Sequence, residues 1–423
     1  MCGLGDRLRS GSILLPPEVW VIFSIALLFR IAFFFHLRSI GMPIHPDGEL
    51  YIALAKGIDN GVFSMFHPLD IPETTRMPGY PFLIHLFNST NALLLFQAFL
   101  SAAKIPLLLL ICRELRLKSD RTVLILLLLI AIEPIDIILS GSLLTESIFS
   151  FLLLLSVFLA MRTRTWPGLV MLTIVLASLA YLRPNGFFVA MIPPVLLLFR
   201  PEFRRMKAIA GIVLLIALMV PWIMRDRAID GRPRISDSGS VVASHFHVPD
   251  VLAMTDPQEA QEFKRGLREL AEATDWTDRE SFRNYFKVIT ERTRTVFMEH
   301  PADWILVQTG KAARIMLAPG RGHITMLFGG SPLVYHALLV LSILFSIVMA
   351  VICVIAVIRI RDLRWEQWLL IVIVLFLIFS AAISTADARF KNPAVPLILL
   401  LGASLLERWR STDPDDAPAS RSS

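Results

Sequence analysis

Residues 73–112 read "ETTRMPGYPFLIHLFNSTNALLLFQAFLSAAKIPLLLLIC". A charged, helix-breaking knot runs straight into an apolar stretch. Arg76 follows Glu73 by three residues, and Pro78, Gly79 and Pro81 predict that no regular helix starts before the apolar run resumes. The run at about 91–112 is long enough to cross a hydrocarbon core, which takes about 20 apolar residues. A chain that meets a bilayer here has placed an arginine and a rigid turn at its surface.

Nine further segments resemble 91–112. The ten lie at about 17–37, 91–112, 121–139, 142–161, 166–182, 185–199, 207–224, 333–358, 366–384 and 392–407. The chain has 423 residues, 55% hydrophobic and only 18% charged, with mean hydropathy +0.64. These values exclude an ordinary soluble domain and predict an all-α polytopic membrane protein. Basic residues set its orientation. Arg7 and Arg9 precede the first span. "CRELRLKSDR", "MRTRT", "RPEFRRMK", "RIRDLR" and "ERWR" follow spans two, four, six, eight and ten. With alternating spans all six regions share one side, the cytoplasmic side, and so do both termini. Trp20, Trp166, Trp365, Trp368 and Trp409 mark cytoplasmic edges, and Trp222 an outer edge.

The net charge of +6 is met by anionic lipid at those loops, so no nucleic acid is called for. Cys2, Cys112 and Cys353 fall on or toward the reducing side, which predicts no disulfide. The first span is too long for a signal peptide and lacks a small-residue cleavage site, so it is read as retained.

This topology leaves outer segments at about 38–90, 134–142, 182–185, 225–332 and 384–392. In the first, Leu50, Tyr51, Leu54 and Ile58 have helical spacing, expected for a short helix on the membrane surface. In the fourth, Asp256 with Pro257, Thr277 with Glu280, and Pro301 predict three helix starts, and so a small helical cap. No internal repeat is visible. The tail from 408 is expected to be disordered.

Charged residues gather on the outer side. Asp47 and Glu49, with His45 beside them, lie in the first loop with Arg76. Glu146 is at the outer end of span four, and Arg183 lies between spans five and six. Arg225 follows span seven, and Asp387 and Arg389 lie between nine and ten. Each has an ordinary reading, since helix ends carry charges and arginines snorkel. Arg30 is read that way, and Glu133 and Asp136 as marks of an outer turn. Lys104, mid-span, must instead face the bundle interior or a wet cavity. His245 and His247, two apart with no third ligand, read as loop residues rather than a metal site.

In order along the chain, "HPDGELYIALAKGIDNG", "TRMPGYPFLI", "LLTESIF", "LAYLRPNG", "VPWIMRDRAIDG" and "DARFKNPAVPLILL" resemble polyprenyl-phosphate-sugar-dependent membrane glycosyltransferases of the GT-C fold. That superfamily includes protein O-mannosyltransferases and aminoarabinose transferases. The resemblance extends over most of the chain. It departs in two places: the family's adjacent Asp-Glu pair is here Asp47-Gly48-Glu49, and Asp226 stands where an Asn is common.

The resemblance implies a GT-C catalytic domain over 1–407, with a catalytic first loop at 38–90 and an outer cap at 225–332. It implies transfer of a hexosyl or pentosyl group from a polyprenyl-phosphate donor to a hydroxyl of a lipid, glycan or protein. Asp47 matches the catalytic position. A carboxylate can take the hydroxyl proton, and arginines can hold the departing phosphate at any working pH. Some of Arg76, Arg183, Arg225 and Arg389 would do so, with Lys104 a further candidate. Tyr51, Tyr80, Glu49 and Glu146 are candidates to line the substrate. A lipid phosphate leaves as a stable anion, so no acid partner is needed, unlike in a glycosidase. The expected outcome is inversion. Carboxylates near phosphate also suit a divalent cation, though this chemistry does not demand one. The implied location is a bacterial inner membrane with the site facing the periplasm. The rival readings are a transporter or flippase, which would usually show repeated halves, and an oligosaccharide ligase or polymerase using lipid-linked glycans.

Overall fold

The computed structural model describes residues 15–41, 45–61, 63–64, 72–200, 203–328, 330–359, 363–384 and 387–411. Cys2, Arg7, Arg9, Arg361 and the tail beyond Ser411 lie outside the described residues, as does the side chain of Trp409.

The described chain is all-helical. In order it forms α1 (Pro17–Ser39), α2 (Pro46–Asp59), α3 (Gly79–Phe87), α4 (Thr90–Glu114), α5 (Asp120–Ala131), α6 (Pro134–Ser140), α7 (Glu146–Arg162), α8 (Trp166–Leu182), α9 (Gly186–Leu197) and α10 (Arg205–Asp230). Then come α11 (Ser238–Val242), a π-turn (Ala243–His247), α12 (Val248–Thr255), α13 (Pro257–Ala273), α14 (Arg279–Glu299), α15 (Pro301–Leu317), α16 (Arg321–Phe328), α17 (Pro332–Ile358) and α18 (Trp365–Ala381). A 3₁₀ turn (Ala388–Ala394) leads into α19 (Val395–Ser411).

Nine of the ten apolar segments lie largely on one helix each, and the third, 121–139, is divided between α5 and α6. Among the described residues, five stretches are long and apolar enough to cross a membrane: α1, α4, most of α10, α17, and Ala388–Glu407. A sixth is the pair α5 and α6, bent by 47° at the Glu133-Pro134 break. The others are shorter, 17 residues in α7, α8 and α18 and 12 in α9. The architecture fits a polytopic membrane protein. α4 and Ala388–Glu407 form its centre, 67% and 78% buried, whereas α1, α10 and α17 are only 22–28% buried. Their outward faces carry Leu28, Phe35, Val213 and Val354, more than half exposed. In water such a surface would drive aggregation; in lipid it is at equilibrium.

The basic connections meet at one end of the bundle. Glu407 accepts hydrogen bonds from the N–H groups of Lys118 and Ser119, both at 2.6 Å. Arg364 donates to the Leu115 carbonyl, Lys207 to Arg164, and Arg200 to Met161. Trp20, Trp166 and Trp368 are exposed, Trp365 is half-buried and donates to the Leu196 carbonyl, and Trp222 is 93% buried and packs inside the molecule.

Four further readings change in detail. The helix after the knot begins at Gly79, so Pro81 falls in its first turn, where a missing N–H breaks no bond. The helix predicted to start at Thr277 is capped by Asp278, which accepts from the Ser281 N–H at 2.8 Å. Thr277 is held instead by the Asp275 carboxylate. Arg30 does not snorkel: it is fully buried. α19 continues to Ser411, past the predicted tail boundary at 408.

Candidate functional site

Asp47 stands in the first turn of α2. Pro46 suits the first helical position, and His45 caps the helix by accepting the Asp47 N–H on Nδ1 at 3.1 Å. The carboxylate thus sits where the helix dipole favours negative charge. Two arginines from distant segments hold its two oxygens. Arg76 reaches Oδ1 at 3.3 Å, and Arg389 reaches Oδ2 at 3.0 Å. Burial pushes the Asp47 carboxyl up, but Arg389 and Arg76 outweigh it and hold the group below its ordinary value.

The knot at 73–81 is what positions Arg76. Glu73 folds its carboxylate back onto the N–H groups of Thr75 at 2.5 Å and Arg76 at 3.0 Å. Arg225 donates to the Glu73 carbonyl at 3.0 Å, and its guanidinium lies over Trp222 at 4.4 Å. The segment after α10 clamps the other side. Thr74 donates to Asp237 at 2.7 Å, the Asp237 N–H returns to the Thr74 carbonyl at 3.0 Å, and Ser236 donates to the Thr75 carbonyl at 2.6 Å. Met77, 1% exposed, plugs a pocket formed by Ala180, Met219 and Trp222. At Gly79 a Cβ would lie 2.5 Å from the Tyr181 carbonyl oxygen, so only glycine allows α3 to pass α8 this closely.

Arg389 is fixed by its own turn. Asp387 caps the 3₁₀ segment, accepting the Arg389 N–H at 2.9 Å. His323 on α16 contacts the same carboxylate oxygen through Nε2 at 3.1 Å. Burial pushes Asp387 up, but these partners hold it below the usual carboxylate range.

The third arginine, Arg183, meets Glu146 at 3.3 Å and lies over the Phe149 ring. The turn that carries it also needs a glycine: a Cβ at Gly186 would lie 2.2 Å from the Leu179 carbonyl oxygen. Glu146 is 2% exposed, its Oε2 has no hydrogen-bond partner, and its charge acts on His45 and Tyr51. Tyr51 and Tyr80 meet edge to face at 4.9 Å, and Tyr80 donates to Gln97 at 2.6 Å. Burial pushes Tyr51 up to about 12 and Tyr80 up as well, so both phenols stay neutral donors.

The geometry separates the residues expected from sequence. Asp47, Arg76 and Arg389 converge directly. Arg183, Glu146, Tyr51 and Tyr80 form a neighbouring group. Arg225 is paired with Asp226 at 2.8 Å and serves as a brace behind the knot. Glu49 is exposed and makes no contact with these groups. Lys104 belongs elsewhere: it pairs with Asp136 inside the bundle, beside Arg30, which bonds Asp136 at 2.6 Å and Ser101 at 2.6 Å. Asp136 and Glu133 are therefore buried members of an internal network, not marks of an outer turn. His245 is exposed and His247 is buried against Trp304, so the two do not converge. Among the described residues no group of three or more His, Cys, Asp or Glu is placed to hold a metal. Cys112 and Cys353 are unbridged.

His323, Gln97 and Asp237 carry the site without having stood out in the sequence. Each is one polar residue in an unremarkable setting, and only the packing of distant helices reveals it. Comparison of the chain with protein-family models and with curated proteins finds no match.

Proposed function

We propose that the chain is a GT-C-type membrane glycosyltransferase with ten spans and both termini cytoplasmic, moving a sugar from a polyprenyl-phosphate donor to an acceptor hydroxyl on the outer face. The observation that carries this reading is the Asp47 carboxylate held between Arg76 and Arg389 at the end of the bundle opposite the basic loops. The arrangement pairs a base with two phosphate-binding groups, as the reaction requires. The shorter helices α7, α8, α9 and α18 would complete the span count through tilt and local thinning of the bilayer.

In this mechanism the donor phosphate draws the guanidiniums of Arg76 and Arg389 toward its own oxygens. Each arginine keeps enough N–H donors to remain near Asp47. The carboxylate, less neutralised, becomes a better base. It takes the acceptor's hydroxyl proton as the acceptor oxygen bonds to the anomeric carbon. The bond from that carbon to the phosphate oxygen breaks, and its electrons leave with polyprenyl phosphate. Attack from the face opposite the phosphate inverts the configuration. Arg183 and Glu146, with the neutral phenol of Tyr51, offer donors and an acceptor for sugar hydroxyls, whereas Tyr80, fully buried and already donating to Gln97, backs Tyr51 and does not reach the sugar.

The test is direct. Protein in nanodiscs is given polyprenyl-phosphate sugars labelled in the sugar, with a membrane extract as acceptor. Label should move to the acceptor fraction as free polyprenyl phosphate appears in equal amount. In sealed proteoliposomes, label crossing the bilayer with the donor intact would establish the flippase reading instead.

A further inference from the structure

The helices between 225 and 332 present two kinds of surface. α13 turns Glu259, Glu262, Lys264 and Arg265 outward, as a helix in water does. α15 is inverted. Its exposed positions are 301, 302, 305, 306, 309, 310, 313, 314 and 317, which form one stripe along the helix. Pro301, Ala302, Ile305, Leu306, Ala313 and Leu317 make most of that stripe, with Ile305 and Leu306 64% and 58% exposed. Thr309 turns its hydroxyl back to the Ile305 carbonyl at 2.8 Å, Gly310 has no side chain, and Arg314 adds a charge. Other polar side chains of α15 point into the protein. Gln308 donates to the Phe379 carbonyl, and Lys311 meets Asp250 at 2.7 Å and donates to the Phe246 carbonyl at 2.8 Å.

Two contacts give the height of α15 in the bundle. Phe379 is fourteen residues along α18 from Trp365 at the basic end, about 21 Å at 1.5 Å per residue. Just past α15, the Ala318 carbonyl accepts from Ser346 at 3.4 Å, and Ser346 is twelve residues, about 18 Å, from Ile358 at the basic end of α17. Between Gln308 and Ala318 the chain thus covers about 15 Å of helix while changing height by only about 3 Å. The axis of α15 lies across the bundle rather than along it, in the outer half of a hydrocarbon core about 30 Å thick. Its shallower end meets the charged corner, where Glu299 is exposed and His300 pairs with Asp303 at 3.5 Å. At its deeper end the carbonyls find partners without water, as that depth requires. Lys391 reaches the carbonyl of Met316 at 3.1 Å and that of Ala318 at 2.5 Å. The stripe also continues the apolar surface of the neighbouring helices, since Ile347 beside Ser346 and Leu375 one turn below Phe379 are exposed.

We infer that α15 is an in-plane helix embedded in the leaflet away from the basic loops, and that its stripe at Ile305, Leu306, Ala313 and Leu317 binds phospholipid. Acyl chains cover the apolar side chains, and Arg314 is long enough to snorkel to a lipid phosphate. The helix anchors the segment 225–332 to the bilayer. Because Lys391 is two residues from Arg389, α15 also ties the turn that carries Arg389 to the same depth. The inference rests on the chain's crossing a membrane and not on glycosyl transfer.

The test reads what touches the stripe. Full-length protein with photoreactive benzoylphenylalanine in place of Ile305, Ala313 or Lys264 is reconstituted in phosphatidylcholine liposomes at high lipid-to-protein ratio. It is irradiated and weighed by mass spectrometry. Proteins labelled at 305 and 313 should gain the mass of one phospholipid, and protein labelled at 264, on the wet face of α13, should gain none. Absence of lipid adducts at 305 and 313, or equal adducts at all three positions, would overturn the inference. So would cross-linked dimers through 305 and 313, which would assign the stripe to a second copy of the chain. In the same liposomes Ile305→Asp should lower the unfolding temperature, because it places a charge in hydrocarbon, whereas Lys264→Gln should leave it unchanged. Equal tolerance of the two changes would also contradict an embedded α15.

Discussion

Asp47 owes its state to competition between burial and two guanidiniums. Burial disfavours the charged form; Arg389 and Arg76 favour it, and they win. Because its pKa is lower folded than unfolded, the folded protein binds fewer protons at this site near the ordinary value of 3.8. The stability this contributes is complete above 3.8 and is lost as pH falls through the lower folded value. Unfolding temperatures of wild type and Asp47→Asn, measured in detergent from pH 6 to pH 3, should therefore converge toward the acid end. A constant gap would mean that the arginines do not hold the carboxylate down. Asp47, Arg76 and Arg389 were each visible in the sequence as charges beside helix breaks. Their convergence was not, because Asp47 and Arg389 are 342 residues apart and only the packed bundle joins them.

At the scale of elements, two glycines and a clamp decide where the arginines stand. Gly79→Ala drives a methyl against the Tyr181 carbonyl, and Gly186→Ala drives one against that of Leu179. Backbone must move in both, at a cost of about 1–3 kcal/mol. Thermal unfolding should show the loss, whereas Gly239→Ala, with open space around it, should lie within about 0.5 kcal/mol of wild type. The clamp from α10 to the knot works differently. Thr74→Val removes only the hydroxyl that donates to Asp237, leaves the Asp237–Arg234 ion pair in place and should loosen Arg76 without unfolding the bundle. A rise of about 5- to 20-fold in the donor KM with a near-normal unfolding temperature is expected, equivalent to about 1–2 kcal/mol of binding. The knot at 73–81 was legible as a turn from its prolines and glycine. That residues more than 150 positions away tie it down was not, since Ser236 and Asp237 look like ordinary loop residues.

For the whole molecule, the buried charges decide how the bundle closes. Asp136 is met by Arg30, Lys104, Ser101 and Asn392, which joins α1, α4, α6 and the 3₁₀ turn that carries Arg389. Asp136→Asn would leave two buried cations short of a counter-charge, at a cost of about 3–5 kcal/mol. Lys104→Met removes one of them and should cost less. Neither change should raise the donor KM as the loss of a site arginine would; an effect of Lys104→Met on donor affinity without loss of stability would return Lys104 to the phosphate. Hydropathy and loop charge disclosed the helices and the shared end of the basic loops. They could not place Lys104 or Arg30, because an ion in an apolar run can snorkel, line a cavity or pair internally, and only the neighbouring helices choose.

The measurement that bears most directly on the account is release of free polyprenyl phosphate by wild type, Asp47→Asn and Glu49→Gln, each in nanodiscs with donor and acceptor in excess. Wild type and Glu49→Gln should turn over at similar rates, and Asp47→Asn should fall by about 10²- to 10⁴-fold with its fold intact. Equal release by Asp47→Asn and wild type would remove Asp47 from the chemistry and leave the carboxylate between Arg76 and Arg389 as a structural ion pair.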